Sequence, residues 1–249
     1  MWLILIEKRA GGMNVKALAL DLDGTVFGDG ELNLDEVVLL RMLQEKGVKV
    51  ILCTGRNLHY VLGIARCLGT DGPVICEEGT IVYDQSTHAR MFNGELSDLN
   101  TLRENLKNWL PTCVIPKEAH HDKEIILALD RNPRVDLDLF VEEVKAVLEE
   151  RKMNLVITRS DEMINIMPQG VDKGVGLSKA LEILDIDQDN VIAVGDAPND
   201  LPLIKEAGYG IAVSNAHEKV KDESDYVTNY PDGRGVIEVI NLILSGSIP

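Results

Sequence analysis

Short apolar runs alternate with segments of helical periodicity from Met13 to about Leu68, the rhythm changes from about Asp84 to Gln169, and the first pattern then resumes. Alternating strand and helix is the signature of parallel strands joined by crossover helices. An interruption that leaves the same pattern on both sides therefore implies one sheet split in sequence by an insert. In the first segment, Val15 to Leu20 reads as a strand, and Asn33 is placed to cap a helix, with Glu36 three residues on to complete a capping box and Gly47 to end it. Val48 to Cys53 is the second strand, Val61, Ile64, Ala65 and Leu68 form the buried stripe of a helix stopped by Gly69, and Pro73 to Cys76 and Thr80 to Tyr83 read as short strands. After the insert come a helix with Leu177, Ala180, Leu181 and Leu184 on one stripe, strand Val191 to Val194, a short helix after Asn199, and strand Gly210 to Val213.

The insert has its own order. A helix carrying Leu99, Leu102, Leu106 and Trp109 is closed by Pro111, and a strand-like stretch runs from Ile125 to Leu129. A second helix shows Leu137, Phe140, Val141, Val144, Val147 and Leu148 on one face, before strands near Leu155 to Thr158 and Met163 to Met167. The expected fold class is thus α/β, with a parallel-sheet domain of residues 1–83 and 170–249 and a smaller inserted α/β domain at 84–169. A length of 249 residues accommodates both. Residues 1–12 precede the first patterned strand and are either an extra N-terminal segment or the product of a start placed upstream of Met13.

Charge narrows the partners. Acidic residues outnumber basic ones by 41 to 25, and a net charge of -16 repels nucleic acid and anionic membrane surfaces. A small anionic substrate meets the same repulsion, so an anion site here must supply its own cations, from side chains or a metal ion. Cys53, Cys67, Cys76 and Cys113 form no C-x-x-C pair and read as reduced thiols of a cytoplasmic protein. The opening apolar stretch Met1 to Ile6 is too short to span a bilayer, so no membrane anchor is expected.

Three strand ends carry chemistry. Ligands of open parallel sheets bind outside the carboxyl ends of the strands. Asp21-Leu22-Asp23-Gly24-Thr25 follows the first strand, although an Asp- and Gly-rich turn alone would look the same. Thr54-Gly55-Arg56 follows the second, with a hydroxyl and backbone N–H groups suited to a phosphate oxygen; Thr54 could equally be a helix cap. Gly195 to Asp200 follows Val191 to Val194 and offers Asp196, Asn199 and Asp200, oxygen donors for a hard divalent cation such as magnesium, or again a helix cap. Lys173 stands in the first turn of a helix, where the dipole disfavours a cation, which makes it a functional candidate, the alternative being a solvated surface lysine. Gly174-Val175-Gly176 suggests a dinucleotide site, but Lys179 replaces the third glycine and that reading fails.

D-x-D-G-T at Asp21 to Thr25, Thr54, Lys173 and G-D-x-x-N-D at Gly195 to Asp200, in this order, make the chain resemble the haloacid dehalogenase superfamily, and the insert resembles the α/β cap of its Cof-type branch. Within that branch the length and the stretch Gly170 to Gly174 resemble the archaeal phosphoglycolate phosphatases; a departure is Glu77-Glu78-Gly79, where Cof-type relatives often have Asn-Gly. The resemblance implies a Rossmann-like core with a cap, and a magnesium-dependent phosphatase in which Asp21 is the nucleophile and Asp23 the general acid and base. It also implies Thr54, Gly55, Lys173 and Asn199 as substrate-binding residues, and Asp21, Asp23 (through its carbonyl), Asp196 and Asp200 as the Mg2+ set, with Asp200 acting mainly by supporting the others. The implied substrate is a small phosphomonoester, 2-phosphoglycolate first; a Cof-type sugar phosphatase and a phosphomutase stay open, while a non-enzymatic phosphate-binding module would have no need for both acids of the first motif and a metal cluster. His120, His121, Lys123, Arg131 and Arg159 are the insert's cations available to a substrate carboxylate, although each reads more readily as a solvated charge, and the family alone allows a homodimer.

Overall fold

The computed structural model describes residues 13–28, 32–114, 123–160 and 163–248. Residues 1–12 and the candidate cations His120 and His121 lie outside them. The chain divides into two compact units, with breaks after Met91 and after Val171.

The first unit is built on an eight-stranded sheet of order β12-β11-β10-β1-β2-β3-β4-β5. Its strands are β1 (Ala17–Leu20), β2 (Lys49–Cys53), β3 (Val74–Cys76), β4 (Ile81–Tyr83), β5 (Arg90–Phe92), β10 (Val191–Gly195), β11 (Tyr209–Ala212) and β12 (Tyr226–Val227). All pairings from β12 to β3 are parallel, and β4 returns antiparallel on β3. β1 is apolar at all four positions and wholly buried, as a strand covered on both faces must be. Its even-handed burial places Ala17 and Ala19, with Ile51, Cys53, Val191 and Ala193, against one helical layer that contributes Leu177, Ala180, Leu181 and Leu203. These come from α5 (Lys173–Leu184) and α6 (Leu201–Glu206). Around the sheet lie also α1 (Leu34–Glu45), α2 (Leu58–Leu68), α7 (Glu218–Glu223) and α8 (Asp232–Ser245), with α1 packed on α8.

The order reverses between β1 and β10: the chain grows outward through β2 and β3 on one side and through β11 and β12 on the other. That is a topological switch point, the crevice where such sheets bind ligands. Register aligns the strand ends there, because Leu20 is level with both Leu52 and Val194. Asp21, Thr54 and Asp196 therefore emerge together on one edge.

The second unit holds the antiparallel sheet β6-β7-β9-β8, made of β6 (Cys113–Val114), β7 (Leu127–Arg131), β8 (Leu155–Ser160) and β9 (Met163–Pro168), with helices α3 (Ser97–Trp109) and α4 (Leu137–Glu150). The sequence pattern set the insert at 84–169, whereas the units divide later at both ends. Residues after Tyr83 form a turn in which Asp84 N–H donates to the Ala89 carbonyl at 3.0 Å and the Asp84 carboxylate holds Ser86 and Thr87, so the chain comes back as β5 on the first sheet before it leaves.

One expected detail is corrected. Asn33 does cap α1, accepting from Asp35 N–H at 3.0 Å, but Glu36 does not complete a capping box. Its carboxyl is fully buried with no hydrogen-bond partner among the described residues, turned toward the start of α8, where a Cβ on Gly233 would strike it. Packing of α1 on α8 has overridden the local pairing.

No helix among the described residues is long and apolar enough to cross a membrane. Cys53, Cys67, Cys76 and Cys113 are all free, with Cys67 exposed.

Candidate active site

Asp21 is the first residue beyond β1 and stays attached to the sheet, its N–H donating to the Val194 carbonyl at 3.0 Å. The chain then turns tightly: Phe27 N–H donates to the Leu22 carbonyl at 2.8 Å and Gly24 N–H to the Phe27 carbonyl at 2.7 Å. Gly24 has φ +91, and a Cβ there would collide with the Asp196 carboxylate, so this turn needs glycine for both conformation and space. Within it, Asp21 faces inward at 4% exposure while Leu22 packs in the core and Asp23 faces out.

The lysine that broke the dipole rule is no surface residue. Asp172 caps α5 by accepting from Val175 N–H at 3.0 Å, and Lys173, the first helical residue, is 2% exposed. Its Nζ donates to Asp21 Oδ1 at 2.7 Å and to Asp200 Oδ1 at 2.6 Å. Burial alone would pull the ammonium's pKa down, but the Asp200 and Asp21 charges outweigh it and hold Lys173 protonated, above its ordinary value. Asp200 is fully buried, and its other oxygen accepts from the N–H groups of Asp196 and Ala197, both at 3.0 Å. Asp200 thus ties the loop after β10.

Asp196 Oδ1 accepts from the Thr25 hydroxyl at 2.9 Å, and burial pushes its carboxyl up to about 6. Burial, reinforced by the Asp200 charge, also raises Asp21 above the usual carboxylate range, with Lys173 opposing. Asp21, Asp196 and Asp200 each offer an oxygen within 4.8 Å of the others. Three carboxylates around one ammonium leave negative charge in excess, and an all-oxygen donor set fits a hard divalent cation. Asp200 has both oxygens engaged, which suits a supporting role, whereas among the described residues Asp21 and Asp196 are hydrogen-bonded through Oδ1. The Asp23 carboxylate is not in this cluster.

Asp23 instead forms a bidentate pair with Arg56, Nε to Oδ2 at 2.8 Å and Nη2 to Oδ1 at 2.9 Å, and the guanidinium lies 5.5 Å from the Tyr60 ring centroid. Thr54 is 1% exposed and does not cap α2; Asn57 does, accepting from Tyr60 N–H at 2.9 Å. The Thr54 hydroxyl accepts from Arg56 N–H at 3.2 Å, on the edge beside Gly55. Asn199 Nδ2 donates to both Glu78 oxygens, at 3.2 and 3.1 Å. The structure therefore joins Asp21, Lys173, Asp196 and Asp200 in one network and sets Asp23, Thr54, Gly55 and Asn199 on the same sheet edge.

The structure adds Arg56 and Thr25 to the site, Arg56 through Asp23 and Thr25 through Asp196. The signal for Arg56 was present, since a cation just before the N-terminus of α2 opposes the helix dipole as Lys173 does at α5. In the second unit, Lys123, Arg131 and Arg159 each have partners: Asn165, Asp130 and Asp138 respectively.

A buried Asp–Lys–Asp network with a metal-fitting cluster stands at the switch point of a parallel sheet, and comparison with known proteins gives the class. A family model described as haloacid dehalogenase-like hydrolase matches residues 18–110 and 104–240, and the chain belongs to that family. Among curated relatives, a phosphoglycolate phosphatase of Methanosarcina mazei is 32% identical over 237 residues, covering 94% of this chain and 98% of the relative. One from Methanosarcina acetivorans is 30% identical with the same coverage, 94% and 98%. Among solved structures, a haloacid dehalogenase-like hydrolase from Bacteroides thetaiotaomicron shares the fold with a TM-score of 0.78 at 23% identity, covering 92% of this chain and 99% of that one.

Proposed function

We propose that this hydrolase is a magnesium-dependent phosphatase that cleaves a small phosphomonoester through an aspartyl phosphate on Asp21, with 2-phosphoglycolate as the first candidate substrate. It is a phosphoric monoester hydrolase, and the observation that carries the reading is the buried contact of Lys173 with both Asp21 and Asp200 beside Asp196. The choice of phosphoglycolate is supported by the curated relatives named above.

Asp21 is held through Oδ1 by Lys173, so Oδ2 is the oxygen that attacks phosphorus. An O–P bond forms at Asp21 as the ester P–O bond breaks, and Asp23, after leaving Arg56, donates a proton to the departing oxygen. Water then attacks the same phosphorus, Asp23 takes its proton, and the bond to Asp21 breaks to release phosphate; two easier displacements replace one hard one. Lys173, the Thr54 hydroxyl and the Gly55 N–H hold phosphoryl oxygens, with Asn199 at the rim. A bound Mg2+ would be held by Asp21, Asp196 and the Asp23 carbonyl, with Asp200 in support, and would supply charge neutralisation for the phosphoryl oxygens.

The free thiols and the charge of -16 support a cytoplasmic protein that acts on a small molecule and not on nucleic acid. Inorganic phosphate release from 2-phosphoglycolate, several sugar phosphates and p-nitrophenyl phosphate, with magnesium and again with EDTA, tests the reading. Magnesium-dependent release led by 2-phosphoglycolate is expected; a sugar phosphate in the lead would discard that substrate and keep the chemistry, and no release from any would discard the phosphatase reading.

A further inference from the structure

The turn after β3 carries a carboxylate to a place where an anion site should exclude one. Glu77 and Glu78 have φ of 48 and 57, two consecutive left-handed residues of a type that seldom adopts that conformation. Strain of this kind persists only where the surroundings enforce it, and it gathers at functional sites. Here the enforcement is visible on both sides. Glu77 N–H donates to the Arg56 carbonyl at 3.0 Å and Glu78 N–H to the Thr54 carbonyl at 3.2 Å, while the Thr80 N–H and hydroxyl return to the Glu77 carbonyl at 3.1 and 2.8 Å. Gly79 abuts the Asp172 carbonyl so closely that a Cβ could not fit. The backbone is pinned between the loop after β2 and the start of α5, and the half-buried Glu78 side chain extends from it.

That side chain lies over Gly55, where a Cβ would strike Oε1, and both of its oxygens accept from Asn199 Nδ2. Gly55 is assigned above to the phosphoryl oxygens and Asn199 to the rim beside them, and the Glu78 charge is also felt by Lys173, a second phosphoryl ligand. A surface glutamate with a solvated carboxylate would need neither the strained turn nor the amide.

We propose that Glu78 is an affinity-determining residue of the phosphoryl site: its carboxylate sits in place of an incoming phosphate oxygen over Gly55 and against Asn199, so that substrate and product phosphate must both displace it. The inference rests on the phosphatase reading for what the site binds. Its consequence is that Glu78 weakens the binding of every phosphate species alike, which keeps the product from accumulating on the enzyme, and that it acts on the phosphoryl group and not on the leaving group.

The test compares the full-length protein with Glu78→Gln, which removes the charge and keeps the shape, and Glu78→Asn, which removes the charge and tolerates the left-handed backbone. Inorganic phosphate is titrated into each by calorimetry with magnesium present, and KM is measured for a carboxylated and an uncharged phosphomonoester. The expected result is a Kd for inorganic phosphate lower by roughly 10-fold in both variants, about the effect of one unfavourable charge contact at a half-open site, with KM falling in parallel for both substrates. A Kd unchanged or raised in both variants overturns the proposal, as does a gain confined to the carboxylated substrate, which would set Glu78 beside the leaving group. The calorimetry reads phosphate binding without turnover, so its outcome stands apart from that of the phosphatase assay.

Discussion

Two of the places in the first unit that bury carboxyl groups are opposites. At the ends of β1 and β10, Asp21 and Asp200 share the Lys173 ammonium, and Asp200 takes two further N–H donors. Between α1 and α8, Glu36 has no hydrogen-bond partner among the described residues, and burial pushes its carboxyl from 4.5 up to about 8. A buried charge survives when it is paired and hydrogen-bonded; without that, the group neutralises itself instead. The first site thus sets its carboxyl groups against a protonated lysine, whereas burial favours the protonated form of the second and makes stability depend on pH.

The comparison breaks most readily at Asp21. Asp21→Asn keeps the shape and should lower turnover by roughly four orders of magnitude or more, because a nucleophile is removed outright; the circular dichroism spectrum should stay native. Turnover near that of the parent protein would remove Asp21 from the mechanism.

Lys173→Met tests whether the pairing is what makes charge tolerable there. With the ammonium gone, Asp21 and Asp200 face each other in a buried site. Phosphate release should fall by about 10²–10³-fold, as for loss of one preorganised charge contact, and urea unfolding should show a loss of about 3–5 kcal/mol. A stable Lys173→Met protein would mean that the network is no more demanding than the Glu36 site.

Glu36→Gln sharpens the other half. A carboxyl whose folded pKa is raised binds more protons folded than unfolded, so its contribution is fully present below 4.5 and is lost as pH rises through about 8. The parent protein should therefore lose on the order of 2–4 kcal/mol relative to the Gln variant between those limits. Urea midpoints of the two proteins across that pH range measure the difference; parallel curves would show that Glu36 is ionised in the folded state.

The smallest effect on stability belongs to Arg56→Ala. The Asp23–Arg56 pair is bidentate but nearly half exposed on both sides, at 48% and 44%, so its removal should change stability by no more than about 1 kcal/mol. Thermal unfolding of that variant would show whether exposure, and not geometry, decides what an ion pair contributes in this fold.

Much of this was legible in the residues, for local reasons. The apolar runs became β1, β2 and β10, the stripe at Leu177, Ala180 and Leu181 became the buried face of α5, and the motif acids fell at strand ends as the alternation requires. Other elements were not. β5 and β12 are too short to show a period, and α8 begins with Gly233 and Gly235 and no side-chain cap, so no start signal marks it.

At the site, the sequence by itself determined which chemical groups were present and that Asp21, Thr54 and Asp196 would stand at strand ends, since strand periodicity and turn chemistry act over a few neighbouring residues. Only the tertiary structure decided which groups meet: Lys173 reaches Asp21 across 152 positions, Arg56 holds Asp23 across 33, and Glu78 finds Asn199 across 121. It also decided that Glu36, written as half of a capping box, would be drawn into the interior. Contacts between distant segments depend on the register of parallel strands and the packing of helices upon them, and no local pattern encodes that register.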